Sequence, residues 1–131
     1  MTKLAGTWRN VTDAMGAKVT TTQTIRDDHS FETKMEFELP GGGVQTVVHE
    51  GALDVDKESF RVNFERGRTK IEGAAVPAMN FPERPFNEAE IAQTLGMLDQ
   101  DFPYTVDKDT FATTAKSPMG DMEVVYKRVK G

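Results

Sequence analysis

The sequence predicts an all-β protein, a single antiparallel up-and-down β-barrel of about eight strands with one short helix covering an end. Short segments alternate apolar and polar residues, as half-buried antiparallel strands do. Turn residues separate these segments, and only one window, within residues 73–103, is helical in pattern. The strands are predicted at about 5–13, 17–26, 30–39, 44–55, 59–72, 103–107, 110–116 and 121–129.

Size and composition indicate one domain spanning residues 1–131, with 37% hydrophobic and 28% charged residues. The formal charge of −5 argues against nucleic acid as a partner, and no apolar run approaches the roughly 20 residues of a membrane span. The absence of cysteine excludes disulfides and thiol chemistry. Because residues 1–4 lead directly into the first strand without a signal-peptide pattern, we expect a cytoplasmic protein.

One turn motif recurs three times, at residues 27–31, 56–60 and 107–111. Each copy has an Asp, two polar residues, a Ser or Thr and then a Phe. The carboxylate and hydroxyl groups bond nearby backbone N–H groups in tight turns, and the Phe then begins an inward-facing position of the next strand. The motif therefore predicts three hairpins, and residues 40–43 and 117–120 predict two more turns.

The helical window begins at Asn87, an N-cap with Glu90 three residues later, as in a capping box. Phe86 before the cap is placed to pack against Ile91. The apolar face of this helix would consist of Ile91, Leu95 and Leu98. We expect the helix to plug one end of the barrel, with a lid over a cavity mouth as the alternative.

The first strand contains Gly6-Thr7-Trp8, and the last carries Arg128. A guanidinium stacked on an indole would join the two strands and close a barrel. This pattern resembles the calycins, the superfamily of lipocalins and fatty-acid-binding proteins, and most nearly a bacterial lipocalin-like domain. The resemblance implies that Trp8 and Arg128 are structural residues of the closed end, and that the barrel encloses a small ligand.

Two departures limit what the resemblance implies. Fatty-acid-binding proteins insert two helices after the first strand, where residues 14–18 form only a short turn. They also carry Arg-x-Tyr on the last strand, whereas this chain has Tyr126-x-Arg128. A fatty-acid function therefore does not carry over, and the haem-binding nitrobindins are a poor match because their second glycine motif is missing.

The leading functional hypothesis is the binding of a small apolar or amphipathic molecule inside the barrel. Polar residues at inward positions, Thr21, Gln23, Thr33 and Thr113, favour a cavity over a barrel filled by its own side chains. The predicted lining residues are Phe31, Thr33, Met35, Phe37, Phe60, Val62, Phe64, Phe111, Thr113, Met122, Val124 and Tyr126.

The alternative is a cofactor-independent isomerase, cyclase or hydratase, with His49, Tyr104, Tyr126 or Glu50 moving a proton. His49 faces inward if its strand keeps one phase and outward if Gly51 marks a bulge, and the sequence leaves both open. An interaction module using strand edges or the helix face is the third interpretation. No motif indicates a cofactor or a metal, so we expect neither, and the oligomeric state is left open.

Overall fold

The computed structural model of the protein describes residues 4–14, 17–39, 42–73, 80–117 and 120–129. These contain nine strands and one helix. In chain order they are β1 (Gly6–Ala14), β2 (Ala17–Ile25), β3 (Ser30–Glu38), β4 (Val44–Val55), β5 (Ser59–Glu72), β6 (Phe81–Pro85), α1 (Glu88–Leu98), β7 (Phe102–Val106), β8 (Thr110–Ser117) and β9 (Gly120–Arg128).

Eight of the strands form a closed antiparallel barrel, which confirms the predicted fold. They are hydrogen-bonded in the order β4, β3, β2, β1, β9, β8, β7, β5, and β5 pairs back with β4. The ninth strand, β6, was not predicted because it is short, contains Pro82 and Pro85, and shows no alternation. It pairs with the second half of β5, whereas β7 pairs with β5 at only Ser59 and Phe60.

The repeated turns connect strands as predicted. In the first and third copies, Asp28 and Asp107 accept backbone N–H bonds from the residues that begin the next strand, at 2.7 to 2.9 Å. The three motif phenylalanines, at positions 31, 60 and 111, are all buried in one core cluster. Pro40, Gly41, Pro118 and Met119 of the other predicted turns lie outside the described residues, but the strands flanking them do pair.

One end of the barrel is closed by the predicted pair. The Arg128 guanidinium lies 4.1 Å from the centre of the Trp8 ring, and Trp8 is fully buried. The Trp8 indole donates to the Leu4 carbonyl, while Arg128 donates to the carbonyls of Ala5 and Lys108. Gly6 has φ 141°, and a Cβ there would overlap the Arg128 side chain. The Gly-x-Trp motif is thus explained by barrel closure.

The sheet has a bulge beside Gly51, on the opposite strand from the one considered in the sequence. Glu50 pairs with Arg66 and Gly51 pairs with Phe64, so Glu65 of β5 is the extra residue. Strand β4 therefore keeps one phase throughout, and β5 changes phase. A Cβ on Gly51 would overlap a backbone oxygen of β5, which accounts for the glycine.

The helix has the predicted capping box, since Asn87 Oδ1 accepts from the Glu90 N–H at 2.9 Å and Glu90 Oε1 accepts from the Asn87 N–H at 3.0 Å. The helix packs on β5, and Leu98 contacts the core cluster. Arg61 of β5 pairs with Asp99 after the last turn, at 2.8 Å. These contacts hold the helix against β5 and the core cluster.

Candidate functional site

The interior of the barrel divides into two halves of different character. The closed half contains the fully buried side chains, with Trp8 and Phe111 at 0% exposure and Ile25 at 2%. The distal half is formed by inward-facing residues farther along the same strands, namely Thr21, Gln23, Thr33, Met35, Val47, His49 and Thr69. Several of these, including Thr33, Met35 and His49, point inward yet are only half-buried.

The facing of the distal half follows from the strand register. Trp8 pairs with Gln23, Gln23 with Thr33, Thr33 with His49, and His49 with Gly67. Directly paired residues of an antiparallel sheet have side chains on the same face, with Cβ atoms about 4.5–5.5 Å apart. Because Trp8 is in the core, this whole row faces inward. Three polar side chains therefore lie next to one another on the inner wall.

His49 lies between two aromatic rings. The centres of the Phe64 and Phe86 rings are 5.6 and 5.5 Å from the imidazole centre, and both contacts are edge-on. Burial lowers the pKa of His49, so the ring is neutral at pH 7. Its ring nitrogens make no hydrogen bond to any described residue. The structure thus resolves the open question of its facing: His49 points inward.

Two further polar atoms of the distal half are unsatisfied. Gln23 Oε1 and Thr69 Oγ1 are buried and have no hydrogen-bond partner among the residues described. The two side chains are 9% and 3% exposed. Buried polar groups are normally paired, so this part of the wall carries more hydrogen-bonding atoms than the chain itself satisfies.

The predicted lining residues fall into three groups. Phe31, Phe60 and Phe111 belong to the packed core, and Val62 and Tyr126 pack against it. Met122 is 58% exposed. The remaining predicted residues occupy half-buried inward positions of the barrel wall: Thr33, Met35, Phe37, Phe64, Thr113 and Val124.

The four candidate proton-transfer residues are not brought together. Tyr104 donates to the Asp56 carbonyl at 2.9 Å, and Tyr126 stacks on Phe111 with ring centres 5.4 Å apart. Burial raises the pKa of Tyr126. Glu50 lies on the outer face, where it accepts hydrogen bonds from two arginines of β5 at 2.8 Å. Among these four described residues, only His49 combines an inward position in the distal half with a titratable group.

Charged side chains of the neighbouring strands lie outside the barrel. The inward positions of β2 to β5 in the distal half hold no carboxylate, lysine or arginine among the residues described. The alternate positions are charged, and Arg68 of β5 pairs there with Glu50 and Glu83 at 2.8 and 3.3 Å. On these strands the inner wall of the distal half therefore carries polar groups but no charged group among the described residues.

A groove of about 1130 Å³ also lies outside the closed half, between the turns that join β2 to β3 and β4 to β5. Its walls include Asp27, Asp56 and Glu58, and it is open to solvent. Asp56 accepts from the Lys57 N–H at 2.8 Å, so part of this polar lining is already engaged. Among the described residues, no buried side-chain atom that lacks a hydrogen-bond partner lies in this groove.

Sequence reasoning missed two residues of the distal half. Phe86 was assigned to a contact with Ile91, but its ring packs on His49 and Phe64. A Cβ on Gly67 would lie 2.5 Å from the Phe86 ring, so this glycine makes room for it. Thr69 was missed because its inward facing depends on the bulge at Glu65. No local signal marks either residue.

No protein family model and no curated protein sequence matches this chain. Among the described residues, no helix is long and apolar enough to cross a membrane. The same residues contain no cluster of three or more His, Asp or Glu side chains that could hold a metal ion.

Proposed function

We propose that the protein binds a small apolar or amphipathic molecule in the distal half of the barrel. The observation that carries the proposal is the partial accessibility of side chains that point inward. Thr33, Met35 and His49 face the interior by register and yet are only half-buried, whereas the closed half contains the fully buried Trp8, Phe111 and Ile25. A side chain that faces inward keeps accessible surface where a cavity or the open end of the barrel lies in front of it.

The wall of this space suits an amphipathic ligand. Met35, Val47 and Phe64 supply apolar surface, and a flexible methionine adapts to different ligand shapes. Gln23 and His49 supply the few polar groups that orient a ligand in such sites. This mixture of apolar and polar side chains differs from a wholly apolar core and from the polar wall of a water-filled channel.

The test is the binding of N-phenyl-1-naphthylamine, a neutral probe that fluoresces in apolar surroundings. We expect saturable one-to-one binding with a Kd of about 1–10 μM, equivalent to about 7–8 kcal/mol. Met35→Lys places a charge on the inner wall and is expected to weaken binding at least tenfold. Glu36→Lys is the matched control, because the adjacent residue faces outward, and it is expected to bind as the wild type does.

The absence of saturable binding by the folded wild-type protein would overturn the proposal. Equal losses in the inward and outward lysine variants would do the same, because binding would then not involve the interior. Fluorescence of Trp8, the single tryptophan, reports whether each variant is folded.

His49 favours a second candidate function, a cofactor-independent isomerase, cyclase or hydratase. A neutral imidazole beside a bound substrate can act as a general base. Deuterium exchange into 2-tetralone, an apolar ketone with acidic C–H bonds, measures this ability directly. We expect His49→Gln to abolish the acceleration and His29→Asn to preserve it. A wild-type rate no faster than that of free imidazole would exclude this function for such substrates.

A further inference from the structure

The distal half indicates the chemical class of its ligand through the groups that it leaves unpaired. His49 is the accessible one: it points inward, is half-buried, and has no ring-nitrogen hydrogen bond within the described parts of the chain. A neutral imidazole has one N–H donor and one nitrogen acceptor. A ligand group that both donates and accepts therefore suits it.

The surroundings of His49 fix where that group would sit. The Phe64 and Phe86 rings contact the imidazole edge-on, so His49 is a polar group between two apolar side chains. Thr33 is the direct neighbour of His49 on β3, and Gln23 is the next residue in the same row. The polar end of a ligand would meet this row, and its apolar body would lie against Met35 and the two phenyl rings.

The ligand is also expected to be uncharged. At the inward positions of β2 to β5 in the distal half, no described side chain carries a charge at neutral pH, because burial keeps the His49 imidazole neutral. The carboxylates and arginines of these strands face outward and pair there with one another. A charged ligand group buried without a counter-ion is strongly disfavoured.

We infer that the ligand is an uncharged apolar molecule with a hydroxyl group, and that His49 hydrogen-bonds this hydroxyl. The inference rests on the proposed function. Gln23 Oε1 and Thr69 Oγ1, which lack partners among the described residues, add two further polar atoms to the same inner wall. These two oxygens are covered in the free protein, so His49 is the group that a ligand meets first.

The test compares naphthalene, 2-naphthol and 2-naphthoate as competitors of N-phenyl-1-naphthylamine at pH 7.5. These molecules share one ring system and differ in the polar group. For the wild type we expect 2-naphthol to bind about tenfold more tightly than naphthalene, since one net hydrogen bond is worth about this factor. We expect 2-naphthoate to bind at least tenfold more weakly than 2-naphthol.

Variants at the two histidines assign the preference to one residue. His49→Phe is expected to reduce the ratio of naphthalene to 2-naphthol dissociation constants to about one. His49→Gln retains a donor and an acceptor and is expected to keep part of the ratio. His29→Asn, in an exposed turn with φ 69° that asparagine tolerates, is expected to leave it unchanged. Each ratio is measured on one protein sample, so partial unfolding cancels.

The outcomes separate the two proposals. If the fluorescent probe does not bind the wild type, the proposed function fails. If the probe binds and naphthalene competes as well as 2-naphthol, only the hydroxyl inference fails. A hydroxyl preference that persists in His49→Phe would overturn the role of His49, and a preference for 2-naphthoate would overturn the uncharged class.

Discussion

Replacing Thr69 with valine is expected to stabilise the ligand-free protein. Thr69 is 3% exposed, and its hydroxyl oxygen exposes less than 1 Å² and has no hydrogen-bond partner among the described residues. Valine has almost the same shape, is β-branched and suits a strand equally well. The substitution thus removes an unsatisfied buried polar group without opening a cavity.

The size of the effect follows from the cost of burying a hydroxyl without a partner. Protein mutations place this cost at about 1–3 kcal/mol. Because the wall of the barrel relaxes in part, we expect Thr69→Val to raise the free energy of unfolding by about 1 kcal/mol. With an m-value of about 2 kcal/mol/M, the urea midpoint rises by about 0.5 M.

Thr94 is the matched control. It is 4% exposed, but its hydroxyl donates to the Glu90 carbonyl at 2.8 Å. Thr94→Val removes this hydrogen bond, and we expect it to lower the free energy of unfolding by about 1 kcal/mol. The assay is equilibrium urea unfolding followed by the fluorescence of the buried Trp8. If Thr69→Val destabilises the protein as Thr94→Val does, the Thr69 hydroxyl is paired in solution and the reasoning is refuted.

Three other substitutions test the fold and the site by urea unfolding. Arg128→Leu should lower the free energy of unfolding by about 2–4 kcal/mol and shift Trp8 emission to longer wavelength, because a cation–π contact and two hydrogen bonds are lost. Unchanged stability would contradict the role of Arg128 in closing the barrel. Gly51→Ala should lower the free energy of unfolding by at least about 2 kcal/mol, because the new Cβ would overlap the backbone of β5. Gly96→Ala has open space around it and should be neutral or stabilising by up to about 1 kcal/mol. Equal effects of the two substitutions would refute the argument that the bulge requires glycine at position 51. His49→Gln should flatten the loss of stability as pH falls below about 6.5. In that range the histidine of the unfolded chain is protonated while the buried His49 of the folded protein stays neutral, so the free energy of unfolding falls by at most about 1.4 kcal/mol per pH unit. Parallel stability–pH profiles of the wild type and the variant would contradict the burial of His49.

Local chemistry made much of the barrel predictable. In the first and third copies of the repeated turn, Asp28 and Asp107 accept backbone N–H bonds from residues two and three positions later, so this part of the motif acts locally. The capping box at Asn87 is equally local. The Trp8 and Arg128 contact spans almost the whole chain; it was predicted from the resemblance to calycins, and it agrees with the pairing of the first and last strands in a closed barrel.

The distal half was predictable only in part. Thr33 and Met35 were identified as inward by alternation within one strand, and the structure agrees. His49 was left open because the decisive bulge is in β5, at Glu65, and not in its own strand. The position of a bulge depends on how two strands align, which alternation within either strand does not show.

The sequence by itself determined the all-β class, the turns, the N-cap of the helix and the residues that close one end, because each depends on neighbours in the chain or on closure of the barrel. The tertiary structure alone decided that His49 points inward, that Phe86 packs on it, and that Gln23 and Thr69 are left unsatisfied. These features depend on register and on packing between segments distant in sequence. The surroundings of His49 in the candidate site depend on these features, so the chain predicts its fold more fully than its function.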